Sequence, residues 1–456
     1  MSTSSRHSSD LLNAAARYGA EYLDSLQERA VAPPPDAIAR LRELDGPLPA
    51  DGLEPIAVLS RMHEIASPAT VASAGPRYFG FVTGGALPAA LAANWLAGAW
   101  DQNSALAVMS PAATALESIA MRWVIEALSL PAECGAAFVT GATMANMTGL
   151  AAARHALLSR AGWNVGTDGL FGAPPITVVV GDEVHVSLLK ALSILGFGSA
   201  RVTRVPADEQ GRMRADRLPA LDAMTICCIQ AGNVNTGAFD PAREVIAAAH
   251  AAGAWVHVDG AFGLWALASP TRAHLLDGFA DADSWAMDAH KWLNVPYDSG
   301  IAFCRDPQHL HGAMAMDAPY LINTEGREPA HYTPEMSRRA RGVEVWAALA
   351  SLGRRGLGAL IDDNCALALR FAEGLRAANF EILNDVVLNQ VLVAFGDDAT
   401  TRRMIAAVQA DGTSWCGGTT WHGRAAMRIS VSCWATTTAD VDRSIAAIVR
   451  LAREIR

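Results

Sequence analysis

Two stretches decide the fold: Trp255-Val256-His257-Val258-Asp259-Gly260-Ala261, and Ser284-Trp285-Ala286-Met287-Asp288-Ala289-His290-Lys291-Trp292. In the first, four strand residues run straight into an aspartate and a glycine. In the second, a short strand ends and a lysine follows, between an imidazole and an indole. In open α/β sheets, ligands gather beyond the carboxyl ends of the strands. Both Asp259 and Lys291 are therefore expected at the ligand edge of one sheet.

Working outward, apolar runs of strand length alternate with helical stretches. Strands are expected at Ala136–Val139, Ile176–Val180, Ala223–Ile229, Trp255–Val258, Ser284–Met287 and Ile301–Cys304. Helices are expected at Met144–Leu158, Val186–Leu195 and Pro241–Ala252. Apolar strands separated by helices imply a mostly parallel sheet covered on both faces. After a long helix from about Arg341 to Arg376, strands near Val391–Phe395 and Ala426–Ser432 and a helix from Ala439 to Arg456 read as a smaller α+β domain. Leu11–Arg29 has helical periodicity, and Pro33-Pro34-Pro35 stops it. The expected division is a helical extension over 1–60, a large domain over 61–340 and a small domain over 341–456.

Composition narrows the function. The chain has 456 residues, 51% hydrophobic and 18% charged, enough for a substantial core and for surface covered by a second subunit. A net charge of -10 without a basic run argues against nucleic acid. The polar start lacks a signal-peptide core, and the apolar tract Leu87–Trp100 is too short to span a bilayer. Seven cysteines without a paired framework fit a reducing compartment, so a cytoplasmic protein is expected. Of 36 basic residues only two, Lys190 and Lys291, are lysines. An amine nucleophile would have to be one of them.

Four strand ends carry candidate chemistry. Asp259 is either a helix cap or a carboxylate aimed at a ligand. Lys291 is either a solvated lysine or a nucleophile tuned by apolar neighbours. Phe138-Val139-Thr140-Gly141-Ala142-Thr143 is either a plain turn or a cradle whose backbone N–H groups receive a phosphate. His185, after Asp182-Glu183-Val184, is either structural or a stacking partner for a flat ring. Taken together they match the needs of pyridoxal 5'-phosphate (PLP): an anion site, a ring face, an acid at the pyridine nitrogen and a lysine for the aldehyde.

Val258-Asp259-Gly260-Ala261 and His290-Lys291-Trp292 resemble the signature of the group II PLP-dependent decarboxylases, which include the aromatic-amino-acid and glutamate decarboxylases. Tyr78-Phe79-Gly80, Ser110-Pro111-Ala112 with Glu117, and Gly237-Ala238-Phe239-Asp240 extend the resemblance from Tyr78 to the C-terminus. It implies the aspartate-aminotransferase fold (fold type I) and a homodimer with active sites at the subunit interface. Lys291 would form the Schiff base, Asp259 would pair with the pyridinium, and His185 would stack on the ring and help return a proton. Ala142 and Thr143 would hold the phosphate, with Ser284, Asp288 and His290 nearby. Gly141, Met144, the run Asn233-Val234-Asn235-Thr236 and Asp288 depart from the family pattern. These departures bear on the substrate more than on the cofactor.

The resemblance also implies a loop that closes over the site, here from about Tyr320 to Arg339, with Tyr332 either the residue that protonates the product or an ordinary loop tyrosine. Arg424 or Arg428 would bind a substrate carboxylate or serve as a structural pair. Trp100, Asp101, Gln102 and Asn103 would reach the neighbouring subunit's pocket. Ser187-Leu188-Leu189-Lys190 lacks the partner motifs of a serine nucleophile. His309-Leu310-His311 lacks a completing ligand, so no metal is expected. The expected reaction is decarboxylation of an L-amino acid. The alternatives are another PLP reaction (an aldol-type lyase, a decarboxylating aldehyde synthase or an aminotransferase) and a non-enzymatic relative with a decayed site.

Overall fold

A computed structural model describes residues 2–316 and 326–455. Its strands in chain order are β1 (Tyr78–Phe79), β2 (Gly135–Val139), β3 (Thr177–Gly181), β4 (Thr203–Val205), β5 (Thr225–Gln230), β6 (Trp255–Asp259), β7 (Ser284–Asp288), β8 (Gly300–Cys304), β9 (Glu381–Ile382), β10 (Gln390–Ala394), β11 (Trp415–Trp421) and β12 (Arg424–Ser430). Seven form one sheet in the order β2-β8-β7-β6-β5-β3-β4. The pairings from β4 through β7 are parallel, and β8 runs antiparallel to both β7 and β2. The mostly parallel α/β sheet expected from the sequence is present.

Both faces of this sheet are buried, and the strands show how. Val179, Cys227, Ile229, Val256, Val258, Trp285 and Met287 join one core cluster. Their neighbours Val178, Val180, Ile226, Cys228, Trp255 and Ala286 join another on the opposite face. Successive side chains of a strand alternate between faces, so doubly covered strands read as unbroken apolar runs. Each fully buried large side chain contributes about 1.5–3 kcal/mol.

The other five strands form a second sheet, β1-β11-β12-β10-β9, over a core that includes Phe371, Val391, Met404 and Ile448. Here β1 pairs in parallel with the start of β11, through Tyr78↔Trp415 and Phe79↔Cys416. Two residues from before the large sheet thus complete the C-terminal one. Strands β1, β4, β9 and β11 are too short or too rich in glycine and threonine to carry a strand signal. The N-terminal helix spans Ser2–Ser25, earlier at both ends than expected. The helix Gly342–Ala377 is interrupted at Gly353, where φ is 61°.

Candidate active site

Strand β7 ends at Asp288, and the lysine loop follows at once. Lys291 Nζ lies 2.9 Å from Asp288 Oδ2, which belongs to a side chain only 3% exposed. Asp288 Oδ1 accepts the Ala142 N–H at 2.5 Å and lies 3.4 Å from His290 Nε2. The Ser299 N–H donates to His290 Nδ1 at 3.0 Å, which puts the imidazole proton on Nε2, facing Asp288. Burial pushes the His290 pKa down, keeping the ring neutral. Residues from the turn after β2 and from the lysine loop therefore meet at one carboxylate.

The lysine loop is clamped from two sides. A Cβ on Gly84 would fall 1.8 Å from the Lys291 carbonyl oxygen, so only glycine fits that approach. Asn294, in the left-handed region at φ 56°, accepts from the N–H groups of Gly85 (2.8 Å) and Trp434 (3.0 Å). Its amide donates to the carbonyls of Trp292 (2.8 Å) and Ser432 (2.9 Å). Asn294 thus ties the lysine loop to the segment after β12. Nothing in the local sequence marks it except an asparagine in an apolar run.

Asp259 closes β6, the parallel neighbour of β7, with Asp259 opposite Ala286. It is 4% exposed and accepts from the Ala261 N–H and from Asn146 Nδ2, each at 3.3 Å. Burial pushes its pKa up, while His185, Lys291 and these two hydrogen bonds oppose that rise. His185 precedes the helix Val186–Ile194, and its Nδ1 lies 2.7 Å from Ser187 Oγ. Burial pushes the His185 pKa down, with Asp259 opposing, so a neutral ring lies within electrostatic reach of Asp259 and Lys291. Ala142 and Thr143 open the helix Ala142–Arg160.

Ser284 does not join this group. It starts β7, four residues and about 13 Å of extended chain from Asp288. Its hydroxyl lies between Trp255 Nε1 (2.9 Å) and His257 Nδ1 (2.8 Å). Arg424 also drops out, since it forms a surface fork with Glu381 at 3.0 and 2.6 Å. Arg428 differs. Its guanidinium acts electrostatically on His185, and one nitrogen donates to the Val234 carbonyl at 3.3 Å. Its Nε is buried without a hydrogen-bond partner among the described residues.

Residues 320–325 of the expected loop lie outside the described residues, Tyr320 among them. From residue 327 the segment is anchored rather than open. Buried Glu117 pairs with Arg327 at 3.2 Å and with Arg338 at 2.7 Å, on either side of Tyr332. The Tyr332 ring lies under Arg327 at 4.4 Å and beside His311 at 5.6 Å, not against Lys291. Trp100 ends the helix Pro88–Trp100 with its ring exposed, Asp101 turns left-handed, Gln102 bonds the Trp100 carbonyl and Asn103 meets Ser337. His309 packs near Trp255 and His155. Among the described residues no group of three or more His, Cys, Asp or Glu is placed to hold a metal ion, and no helix is long and apolar enough to cross a membrane.

The residues present fit PLP at three points. Lys291 supplies an amine beside a carboxylate. Asp259 is a buried acid whose raised pKa marks the lack of a full counter-charge, which a protonated ring nitrogen supplies. The helix amino terminus at Ala142 offers N–H donors. Asp288 already takes the Ala142 N–H, so Thr143 and Met144 are the next donors in that turn.

The fold and these strand ends define an α/β enzyme of the PLP-dependent kind. The family model described as the pyridoxal-dependent decarboxylase conserved domain matches residues 35–396. The chain belongs to that family: it is a carboxy-lyase whose cofactor is pyridoxal 5'-phosphate. Tryptophan decarboxylase 1 of Oryza sativa subsp. japonica is 28% identical over 399 residues, covering 78% of this chain and 76% of that protein. The 4-hydroxyphenylacetaldehyde synthase of Rhodiola rosea is 26% identical over 430 residues, covering 87% and 85%. The crystal structure of Oryza sativa tryptophan decarboxylase with PLP and tryptamine superposes with a TM-score of 0.90 at 24% identity, covering 100% of this chain and 99% of that one.

Proposed function

We propose that this enzyme decarboxylates an L-amino acid to its amine at the site formed by Lys291 and Asp259. The observation that carries the reading is that Asp259 ends β6 and Lys291 follows the end of the adjacent parallel strand β7 by three residues, the lysine in ion-pair contact with Asp288 and the aspartate buried. When bound, PLP supplies an electron sink for the pair released as the carboxyl group leaves. The protein's own part is to hold and orient. Lys291 is the amine that carries the cofactor, and Asp259 keeps a proton on its ring nitrogen. His185 would cover the ring face, and the helix amino terminus that opens at Ala142 and Thr143, with His290, would receive the phosphate end, while Asp288 ties that turn to the lysine loop through the Ala142 N–H.

Arg428 is the residue we assign to the substrate carboxylate, because Arg424 is spent on Glu381 while Arg428 Nε is buried and free of a partner among the described residues. Loss of a charged hydrogen bond costs about 1.5–3 kcal/mol. Arg428→Met is therefore expected to raise KM roughly 10- to 150-fold with a smaller change in kcat. An unchanged KM would remove Arg428 from the substrate site.

We assign Tyr332 to the site of a second copy, since in its own chain the ring faces Arg327 and His311. The exposed apolar side chains Trp95, Leu96 and Trp100 on one helix support a homodimer that covers them. A positioned general acid is worth about 100- to 10,000-fold. Tyr332→Phe is expected to lose amine formation on that scale. Wild-type turnover with an unchanged product would end the assignment.

Release of CO2 from carboxyl-labelled L-amino acids, presented singly to the PLP-loaded enzyme, tests the reaction. Stoichiometric amine and CO2 from one aromatic or acidic substrate is the expected result. Aldehyde in place of amine, formed with consumption of dioxygen, would replace this reading by a decarboxylating oxidation; an aldehyde is the product in the name of the Rhodiola rosea relative.

A further inference from the structure

Four side chains form a continuous line of hydrogen bonds that ends at Asp259. Trp255 Nε1 donates to Ser284 Oγ at 2.9 Å, and Ser284 Oγ lies 2.8 Å from His257 Nδ1. His257 Nε2 lies 2.8 Å from Asn146 Oδ1, and Asn146 Nδ2 donates to Asp259 Oδ2 at 3.3 Å.

The direction of the line follows from its ends. An indole N–H only donates, so Ser284 receives it and its single proton is left for His257 Nδ1. The His257 proton then sits on Nε2 and points at the Asn146 oxygen, which turns the Asn146 N–H toward Asp259. In the reverse direction, Trp255 and His257 would both donate to Ser284. The Asn146 oxygen would then face the carboxylate, which only a protonated Asp259 could meet. His257, Ser284 and Asn146 are all 0% exposed, so bulk water offers no substitute partners. Burial pushes His257 down to about 3, so the ring stays neutral, with one donor and one acceptor. Gly149 makes room for it: a Cβ there would come within 2.7 Å of His257 Cε1.

We propose that His257 and Asn146 are positioning residues for the reaction, whose one-way hydrogen bonds keep Asp259 an ionised, acceptor-only carboxylate toward the ring nitrogen of PLP. The inference rests on the assignment of Asp259 to that nitrogen.

The test uses holoenzyme labelled with 15N-histidine and loaded with PLP labelled at the ring nitrogen. The neutral Nε2–H tautomer is expected for His257, identified by the signal lost in His257→Gln. Asn146→Asp is isosteric and still accepts from His257, but it replaces the fixed N–H donor with a carboxyl that shares one proton with Asp259, so Asp259 is no longer a fully ionised acceptor. It is expected to move the ring-nitrogen resonance toward the unprotonated form and to weaken PLP binding about 10- to 100-fold. An Nδ1–H tautomer in wild type overturns the proposal. So does an Asn146→Asp enzyme with unchanged resonance and PLP affinity while Asp259→Asn alters both. If Asp259→Asn alters neither, the assignment of Asp259 fails and takes the proposal with it.

Discussion

Lys291→Ala is expected to lose turnover by at least about 1,000-fold, the scale on which an activated nucleophile contributes. The reason lies in the composition as well as the geometry. Lys190 is the only other lysine, and it is exposed on the helix Val186–Ile194. No second ε-amine stands ready to replace the first. The variant is expected to fold, because Asn294 holds the backbone of the lysine loop at the Lys291 and Trp292 carbonyls, and Asp288 keeps the Ala142 N–H when the ammonium group is lost. Its visible cofactor absorbance should collapse to that of free PLP. A Lys291→Ala protein that retains both the bound absorbance band and turnover would show that the catalytic amine lies elsewhere.

The second large effect belongs to Asp259. Removing one partner of a buried charge pair costs about 3–5 kcal/mol, or roughly 200- to 5,000-fold in rate. Asp259→Asn is expected to lower kcat/KM by that factor. Stability should move the other way. Burial raises the carboxyl pKa in the absence of the cofactor. A raised native pKa stabilises the fold at low pH, and that contribution is lost as pH rises through the native value. Wild-type apoprotein should therefore lose thermal stability as pH climbs through that pKa, and Asp259→Asn apoprotein should lose less. At neutral pH the variant is expected to be at least as stable as wild type while far less active. A variant that is both destabilised and fully active would invert the account.

How much of this was legible in sequence depends on distance along the chain. The placing of Asp259 and Lys291 at one edge of the sheet was legible because Asp259 ends one short apolar strand and Lys291 follows another by three residues, and strand ends are where an α/β sheet collects ligands. The large sheet was legible because its doubly buried strands are continuous apolar runs. Ser284 was misplaced: it shares a strand with Asp288, but the strand's length carries it to the far end. Asn146 and His257 gave no signal, since a polar residue in a helix or strand declares nothing until its partner, over 100 residues away, is known. The pairing of Tyr78–Phe79 with β11 joins residues more than 300 apart and leaves no local pattern. Arg424 and Arg428 are equivalent in sequence. They separate only when β12 exposes one and buries most of the other beside His185.

Borohydride reduction of the PLP-loaded enzyme, followed by peptide mass spectrometry, tests the central claim most directly, because only two lysines compete. The cofactor's mass is expected on the peptide that contains Lys291, with the peptide that contains Lys190 unmodified. Cofactor on Lys190, or on neither lysine under conditions where amine is being formed, would contradict the site described.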